Sequence, residues 1–308
     1  MPVITDIDIL RNREAYPLTV VIATLGGDTL AKTVEQLNRG TVVPAEILIC
    51  IPEEESVRAE HLLLGNVKIV RTACRGQVAQ RAVGFRTVSH DVVMQLDDDM
   101  IVDTHCVECL LKTILAYGPN VSVAPSLINR ATGKSVYMKP ERSTFLQNLY
   151  YWLMNGHAGY KPGRIDKSGS AVGIDTEAGD KELYDVEWLA GGCVMHHRNG
   201  LVLENYWPLK GKAYYEDVMH SFILKSKGVR LLVDSRAVCS LELFYVSSYG
   251  PRDFINNLVA DYRRRKYVME RCSRKSFRIY LYYLASILSY VSKKMSPFDH
   301  SSGPVSRE

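Results

Sequence analysis

Three consecutive carboxylates, Asp97-Asp98-Asp99, follow the apolar run Asp91-Val92-Val93-Met94-Gln95-Leu96. Like charges this close repel one another and keep ordinary carboxylate pKa values only where something positive compensates. Hard divalent cations such as Mg2+ or Mn2+ take oxygen ligands, commonly one or two carboxylates plus substrate phosphates. For an isolated triplet the alternative is a solvated acidic turn, with Asp103 capping the next helix. A second acidic pair, Glu216-Asp217, opens a segment with Met219, Phe222, Ile223 and Leu224 on its apolar side, closed by Lys225, Lys227 and Gly228. Taken alone, such a pair is what the helix macrodipole favours at an N-terminus.

Position decides between these readings of the triplet. Side chains alternate along a strand, so Val92, Met94 and Leu96 share one face and Val93 and Gln95 the other. Both faces are mostly apolar, as in an interior strand of an α/β sheet, where ligands bind just beyond the carboxyl ends of the strands. Upstream, Leu18 to Thr24 reads as a buried strand ending at Gly26-Gly27. Asp28 is placed to cap a helix from Thr29 to Asn38, with Leu30, Val34 and Leu37 at helical spacing and Gly40 as its stop. Ala45 to Ile51 and Val67 to Val70 read as further strands, and Gln77 to about Val88 as a helix. This alternation predicts an α/β fold with a mostly parallel sheet and helices on both faces. After the triplet, Thr104 to Tyr117 is an amphipathic helix and Val121 to Pro125 a short strand. Ser126 to Asp185 is less regular, with Tyr150-Tyr151-Trp152, the basic Lys161-Pro162-Gly163-Arg164 and a Gly-rich run from Gly169 to Gly179. That stretch is a candidate acceptor region or lid.

Gly76-Gln77-Val78-Ala79-Gln80-Arg81-Ala82-Val83-Gly84, followed by a strand and the Asp triplet, resembles the nucleotide-sugar half of the family-2 glycosyltransferases of GT-A fold. Gly76, Arg81 and Gly84 match that family's Gly-x-x-x-Ala-Arg-Asn-x-Gly helix, whereas Gln80 and Ala82 depart from it. Trp188-Leu189-Ala190-Gly191-Gly192 resembles the family's acceptor motif, and Glu216-Asp217 its Glu-Asp motif. The resemblance runs over roughly residues 18 to 242. It implies metal ligation by Asp97 and Asp99, with Mn2+ or Mg2+ as cofactor. It also implies nucleotide-sugar contacts from Thr24, Asp97 and Asp98, acceptor contacts from Trp188, Gly191 and Gly192, and a general base at Asp217 assisted by Glu216. Where the family ends its second strand with a base-reading Asp, this chain has Pro52-Glu53, and Glu53 stands in. Arg71 and Arg81 are candidates to touch diphosphate or base, although exposed helix arginines are more often merely solvated. Where the family often has a metal-binding His, the chain reads Ser240-Leu241-Glu242, so Glu242 is a candidate third ligand or a surface residue.

The implied activity is inverting transfer from a nucleoside-diphosphate sugar, of the UDP class, to a glycan or lipid-linked saccharide by single displacement. A sugar-nucleotidyltransferase is the competing enzyme, although Gly26-Gly27-Asp28 is a poor phosphate loop. A catalytically silent nucleotide-sugar or partner-binding module is the non-enzymatic alternative. At 308 residues the chain divides into a lead-in (1–17), a glycosyltransferase domain (18–245, with halves 18–103 and 104–245), basic amphipathic helices (246–295) and a disordered tail (296–308). Formal net charge is only +4, yet 261–294 concentrates Arg263-Arg264-Arg265-Lys266, Arg271, Arg274-Lys275, Arg278 and Lys293-Lys294 around the apolar Ile279 to Val291. That apolar run is too short to span a bilayer but suits an anionic membrane surface, a dimer contact or packing on the domain. No nucleic-acid motif appears. Seven cysteines without framework spacing, including the lone pair Cys106 and Cys109, and the lack of a secretory signal predict a cytoplasmic protein, and the basic stretch 261–294 adds the expectation that it is peripheral on the inner membrane face.

Overall fold

A computed structural model describes residues 15–62, 64–137, 144–156, 159, 161–209, 211–242, 250–274 and 276–295. Most of the expected lead-in and the whole of the expected tail lie outside these residues. The first half alternates β1 (Tyr16–Ala23), α1 (Leu30–Arg39), β2 (Pro44–Pro52), β3 (Val67–Thr72), α2 (Gln77–Thr87) and β4 (Val92–Leu96). A 3-10 helix, Glu53–Leu62, links β2 to β3. The second half adds β5 (Ile101–Val102), α3 (Cys106–Tyr117), β6 (Val121–Asn129), β7 (Lys134–Ser135), α4 (Phe145–Asn155), β8 (Leu183–Asp185) and β9 (Cys193–His197). It closes with α5 (Glu216–Ser226), β10 (Arg230–Leu241), α6 (Pro251–Arg271) and α7 (Arg278–Met295).

The strands form one sheet in the order β3-β2-β1-β4-β9-β6-β10-β5, with β7 beside β6 and β8 beside β10. β3, β2, β1 and β4 are mutually parallel, β9 runs against both β4 and β6, and β6 and β10 are parallel. Every residue of β4 is buried; Val92, Met94 and Leu96 join the core on one side of the sheet and Val93 the core on the other. The order places β1 between β2 and β4, so the chain leaves β1 in one direction and returns on its other side. A crevice opens at such a switch point, beyond the carboxyl ends of the two strands. Thr24 follows β1 there and Asp97 follows β4.

Several boundaries differ from the sequence reading for local reasons. Asp28 does not cap α1: Thr29 occupies that position, without a side-chain hydrogen bond. Gly40 ends α1 in an extended rather than a left-handed conformation (φ −62°). β6 does not stop at Pro125 but runs on to Asn129, because β10 shifts register opposite it, between Asp234 and Val238, where a missing N–H does no harm. The runs Val229 to Val233 and Arg236 to Cys239, which read from the sequence as two strands, are joined through the same bulge into the single β10. The bulge also turns the fully buried Asp234 inward, to accept hydrogen bonds from Thr113 (2.6 Å) and from Arg236 Nε (2.9 Å). Tyr150-Tyr151-Trp152 lies on a regular helix, α4, whose Thr144 and Gln147 form a reciprocal capping box. All seven cysteines are free, and Cys106 is packed in the main core.

Candidate functional site

Helix α2 supplies the framework of the crevice. Gly76 precedes it at φ +140°, a conformation that side chains disfavour. Gln80, at a position where the family motif has Ala, is fully used: its amide donates to the carbonyls of Thr24 and Cys50, both at 2.8 Å, and its oxygen accepts from Gly76 N–H. It thereby ties the ends of β1 and β2 to the start of α2. One turn of side chains further, Gln77 donates to Asp97 Oδ1 at 2.8 Å. The Thr24 hydroxyl donates to the Asp98 carboxylate across the β1–β4 switch point.

Arg81 is not an exposed helix arginine. It is buried at 3% exposure, with one guanidinium nitrogen on Asp97 Oδ1 and the other on Glu216 Oε1, each at 2.5 Å. Burial opposes its charge, but the two carboxylates outweigh burial and hold its pKa above the ordinary arginine value. Arg81 is therefore a strut between the triplet and the Glu-Asp pair, and its nitrogens Nη1 and Nη2 are already engaged. Glu216 is equally buried, and its other oxygen accepts from the Tyr206 hydroxyl at 2.5 Å. His220 stacks on Tyr206 with ring centroids 5.8 Å apart, and burial followed by the nearby Arg81 lowers its pKa to about 3, which keeps it neutral.

Asp217, beside this clamp, accepts one hydrogen bond, from Val218 N–H. Burial first, and then the Glu216 carboxylate, raise its pKa to about 7. A carboxylate with that value can take a proton near neutral pH. The glycine pair fills the gap between the two acidic groups. A Cβ on Gly191 would lie 3.1 Å from Glu216 Oε1 and 3.4 Å from Asp217 Cβ, and one on Gly192 3.5 Å from Asp97 Oδ2. Gly191 carbonyl also accepts from Gln95 (2.7 Å), and Gly192 carbonyl from Asp97 N–H (2.8 Å).

The remaining expected site residues divide into those at the crevice and those turned away. Glu53 and Arg71 stand at the carboxyl ends of β2 and β3, exposed and facing each other at 3.7 Å. Trp188 is 7% exposed, donates to Val172 carbonyl at 3.0 Å and packs edge-on against Tyr137, so its face is not open for a sugar to stack on. Glu242, two residues beyond the Ser240↔Ile101 pairing, is 53% exposed at its side chain and pairs with Arg130 at 3.3 Å. As a metal ligand it would have to leave that partner.

The oxygen donors left over suit a hard cation. Asp97 Oδ1 is committed to Arg81 and Gln77, while Oδ2 accepts no hydrogen bond among the described residues. Burial, then Asp97 and Asp98, push the Asp99 carboxyl above its ordinary pKa, with Lys212 as the opposing positive charge. Uncompensated carboxylates of this kind are relieved by a divalent cation sharing phosphate oxygens with a ligand. Among the described residues no group of three or more His, Cys, Asp or Glu side chains is arranged around a metal position, so a cation held by Asp97 and Asp99 would need further oxygen ligands from a bound molecule or water. Sequence reasoning missed Gln77, Gln80, Gln95, Tyr206 and Lys212. Gln95 carried a signal, a polar residue in an otherwise apolar strand, and Gln80 another, as a departure from the Ala of the family motif; the others had none.

The Glycosyl transferase family 2 model matches residues 19–173, from β1 through the Asp triplet to the loops after α4. No curated protein matches the sequence. Among solved structures, GalNAc-T7 with UDP, GalNAc and Mn2+ is 18% identical, with a TM-score of 0.53 over 88% of this chain and 57% of that one. This chain thus spans little more than half the length of that relative. The mannosyltransferase PcManGT from Pyrobaculum calidifontis, in complex with GDP-Man and Mn2+, is 12% identical, with a TM-score of 0.51 over 93% of this chain and 77% of that one. The likeness is one of fold, and the fold is the α/β GT-A architecture.

Proposed function

Since the chain belongs to glycosyl transferase family 2, we propose that it transfers a sugar from a nucleoside-diphosphate donor, of the UDP class, to a saccharide or lipid-linked acceptor with inversion. The observation that carries this reading is the Arg81 strut, which fixes the triplet and the Glu-Asp pair in one rigid unit at the sheet's switch point. Thr24, Asp98, Glu53 and Arg71 ring the donor side. Asp97 and Asp99 would hold Mn2+ or Mg2+, which when bound neutralises charge developing on the leaving diphosphate. Asp217 takes the proton of the acceptor hydroxyl as that oxygen attacks the anomeric carbon and the bond to the diphosphate breaks. Glu216, held by Arg81 and Tyr206, keeps Asp217 basic enough to do so. A single base opposite the leaving group gives one displacement and inversion.

The acceptor side is supported by the surface around the C-terminal helices. No described helix is long and apolar enough to cross a membrane. Yet α4 exposes Phe145 (82%), Leu146 and Trp152, and α7 exposes Tyr280, Leu284 and Leu288 (60%). A groove of about 330 Å³ between α6 and α7, lined by Leu258, Val259, Tyr262, Tyr283 and Ile287, continues that apolar surface. Apolar and aromatic side chains on a strongly basic hairpin fit the interface of an anionic membrane, where a lipid-linked acceptor would reside.

The test is nucleoside diphosphate release from a panel of UDP-, GDP- and dTDP-sugars with Mn2+, compared between wild type and Asp217→Asn. Loss of the base should lower turnover about 10²- to 10⁴-fold, with donor binding, read by thermal shift, unchanged. Wild-type turnover by Asp217→Asn, or no metal-dependent release with any donor, would reject the reading.

A further inference from the structure

Helix α6 lies outside the segment matched by the family, yet one of its side chains reaches the residue that precedes the Glu-Asp pair. Arg265 is 6% exposed. Its guanidinium sits 4.2 Å from the ring centroid of Tyr282 on α7 and 5.3 Å from that of Tyr215. It donates to Ser170 Oγ at 3.0 Å and to Asp261 at 3.3 Å, and its Nε finds no partner among the described residues. A buried guanidinium held over two rings is a rigid, charged spacer rather than a solvated surface group.

Tyr215 is what this spacer holds. It is in the left-handed region (φ +73°, ψ +5°), which non-glycine residues seldom occupy unless their surroundings over-determine it. Its hydroxyl donates to the Gly169 carbonyl. Gly169 in turn lies so close to α6 that a Cβ there would stand 3.1 Å from Arg265 Cγ. The loop carrying Gly169 and Ser170 is thus gripped by Tyr215 on one side and Arg265 on the other. No side chain caps the N-terminus of α5, so the backbone turn at Tyr215 sets the direction in which its first residues, Glu216 and Asp217, leave.

We propose that Arg265 is a positioning residue for glycosyl transfer. By lying over the rings of Tyr215 and Tyr282 and anchoring Ser170, it keeps Tyr215 in its left-handed conformation and so aims the Asp217 carboxylate at the acceptor oxygen. The C-terminal hairpin is on this view part of the catalytic architecture, not an appended anchor. The inference rests on the reading of Asp217 as the base.

The test uses the full chain, Mn2+ and whichever panel sugar releases its diphosphate, at a temperature where every variant is folded by circular dichroism. Arg265→Met should lower kcat at least 30-fold while leaving donor KM within about twofold. Arg265→Lys, which keeps a cation over the rings, should recover a substantial part of that loss. Tyr215→Phe, which removes only the hydroxyl on Gly169, should lower kcat about tenfold and keeps the proposal testable if Arg265→Met does not fold. Asp217→Asn is run in parallel. If it is inactive while Arg265→Met and Tyr215→Phe keep wild-type kcat, the positioning role is wrong and the base assignment stands. If Arg265→Met raises donor KM in step with its loss of kcat, the residue serves the fold of the whole site and the proposal is likewise overturned. Wild-type turnover by Asp217→Asn would remove the premise itself.

Discussion

The most consequential single residue is Arg81, because it joins two acidic groups 16 and 135 positions away. Breaking one side of a buried pair leaves an uncompensated charge, whereas the intact triad is neutral to rigidifying. Asp217, beside the carboxylate that Arg81 holds, gives a pH prediction. The raised pKa of about 7 in the free protein places the acidic limb of kcat/KM there, so kcat/KM should fall about tenfold per unit below pH 7 as Asp217 takes up a proton. Burial and the Glu216 charge both raise that pKa; Glu216→Gln removes the second, so its limb should move to lower pH even as the plateau falls. A kcat/KM–pH profile of the two proteins checks both the limb and its direction. Gly191 gives a steric prediction. An alanine methyl 3.1 Å from Glu216 Oε1 must push that carboxylate back, and at 3.4 Å it fills the space up to Asp217 Cβ. Since misplacement by about 1 Å can cost 10²-fold, Gly191→Ala should lower kcat about 10- to 100-fold while the melting temperature changes little. Equal turnover would mean that the gap beside Asp217 is not used.

Helix α2 shows how an element, rather than a residue, builds the site. It carries Gln77, Gln80 and Arg81 toward the crevice, and it can do so only by lying unusually close to the sheet. Gly84 makes that approach: a Cβ there would stand 2.4 Å from Cys50 Sγ and 2.6 Å from Val21 Cγ1, both in a packed core. Overpacking of this kind costs about 1–3 kcal/mol even after side chains shift, and the better helix propensity of alanine offsets only part of it. Gly84→Ala should therefore lower the melting temperature by about 2–8 °C and, by lifting α2, weaken donor binding as well; calorimetry and donor titration measure the two effects. The first-half elements were legible in the sequence because β-branched runs and helical spacing are local signals, and the triplet gained meaning from the strand before it. What sequence could not supply was Arg81's contact with Glu216, since a contact across 135 residues leaves no periodic trace. The same holds for Trp188, read from its motif position as an acceptor contact: the sequence does not show that its indole donates to Val172 and packs edge-on against Tyr137. Strand β6 was cut short at Pro125 because the compensating bulge lies on another strand.

At the scale of the molecule, charge is divided in a way that the net value of +4 conceals. Residues 251–295 hold eleven Lys and Arg against three Asp and Glu, so the rest of the chain is net acidic. That basic hairpin is built on the domain rather than trailing from it. Arg265 is buried among tyrosines, and Arg278 donates to the Trp152 carbonyl (2.9 Å) and so ties α7 to the end of α4. Its exposed basic residues and the apolar faces of α4 and α7 therefore move as one surface. A lipid membrane would read both terms, an apolar one that salt hardly alters and an electrostatic one that decays with the Debye length, about 8 Å at physiological ionic strength and 3 Å at 1 M. Co-sedimentation with vesicles of 30% anionic lipid should accordingly retain the protein at about 0.15 M salt and release most of it near 1 M, with little binding to neutral vesicles. Replacing Phe145 and Trp152 together by Ser should weaken binding at both salt concentrations without changing its salt dependence, because those side chains carry no charge. Binding that ignores both salt and lipid charge would leave the apolar term alone at work, whereas no binding to either kind of vesicle would assign this surface to a protein partner instead, and a concentration-dependent mass in solution without lipid would identify that partner as a second copy of the chain.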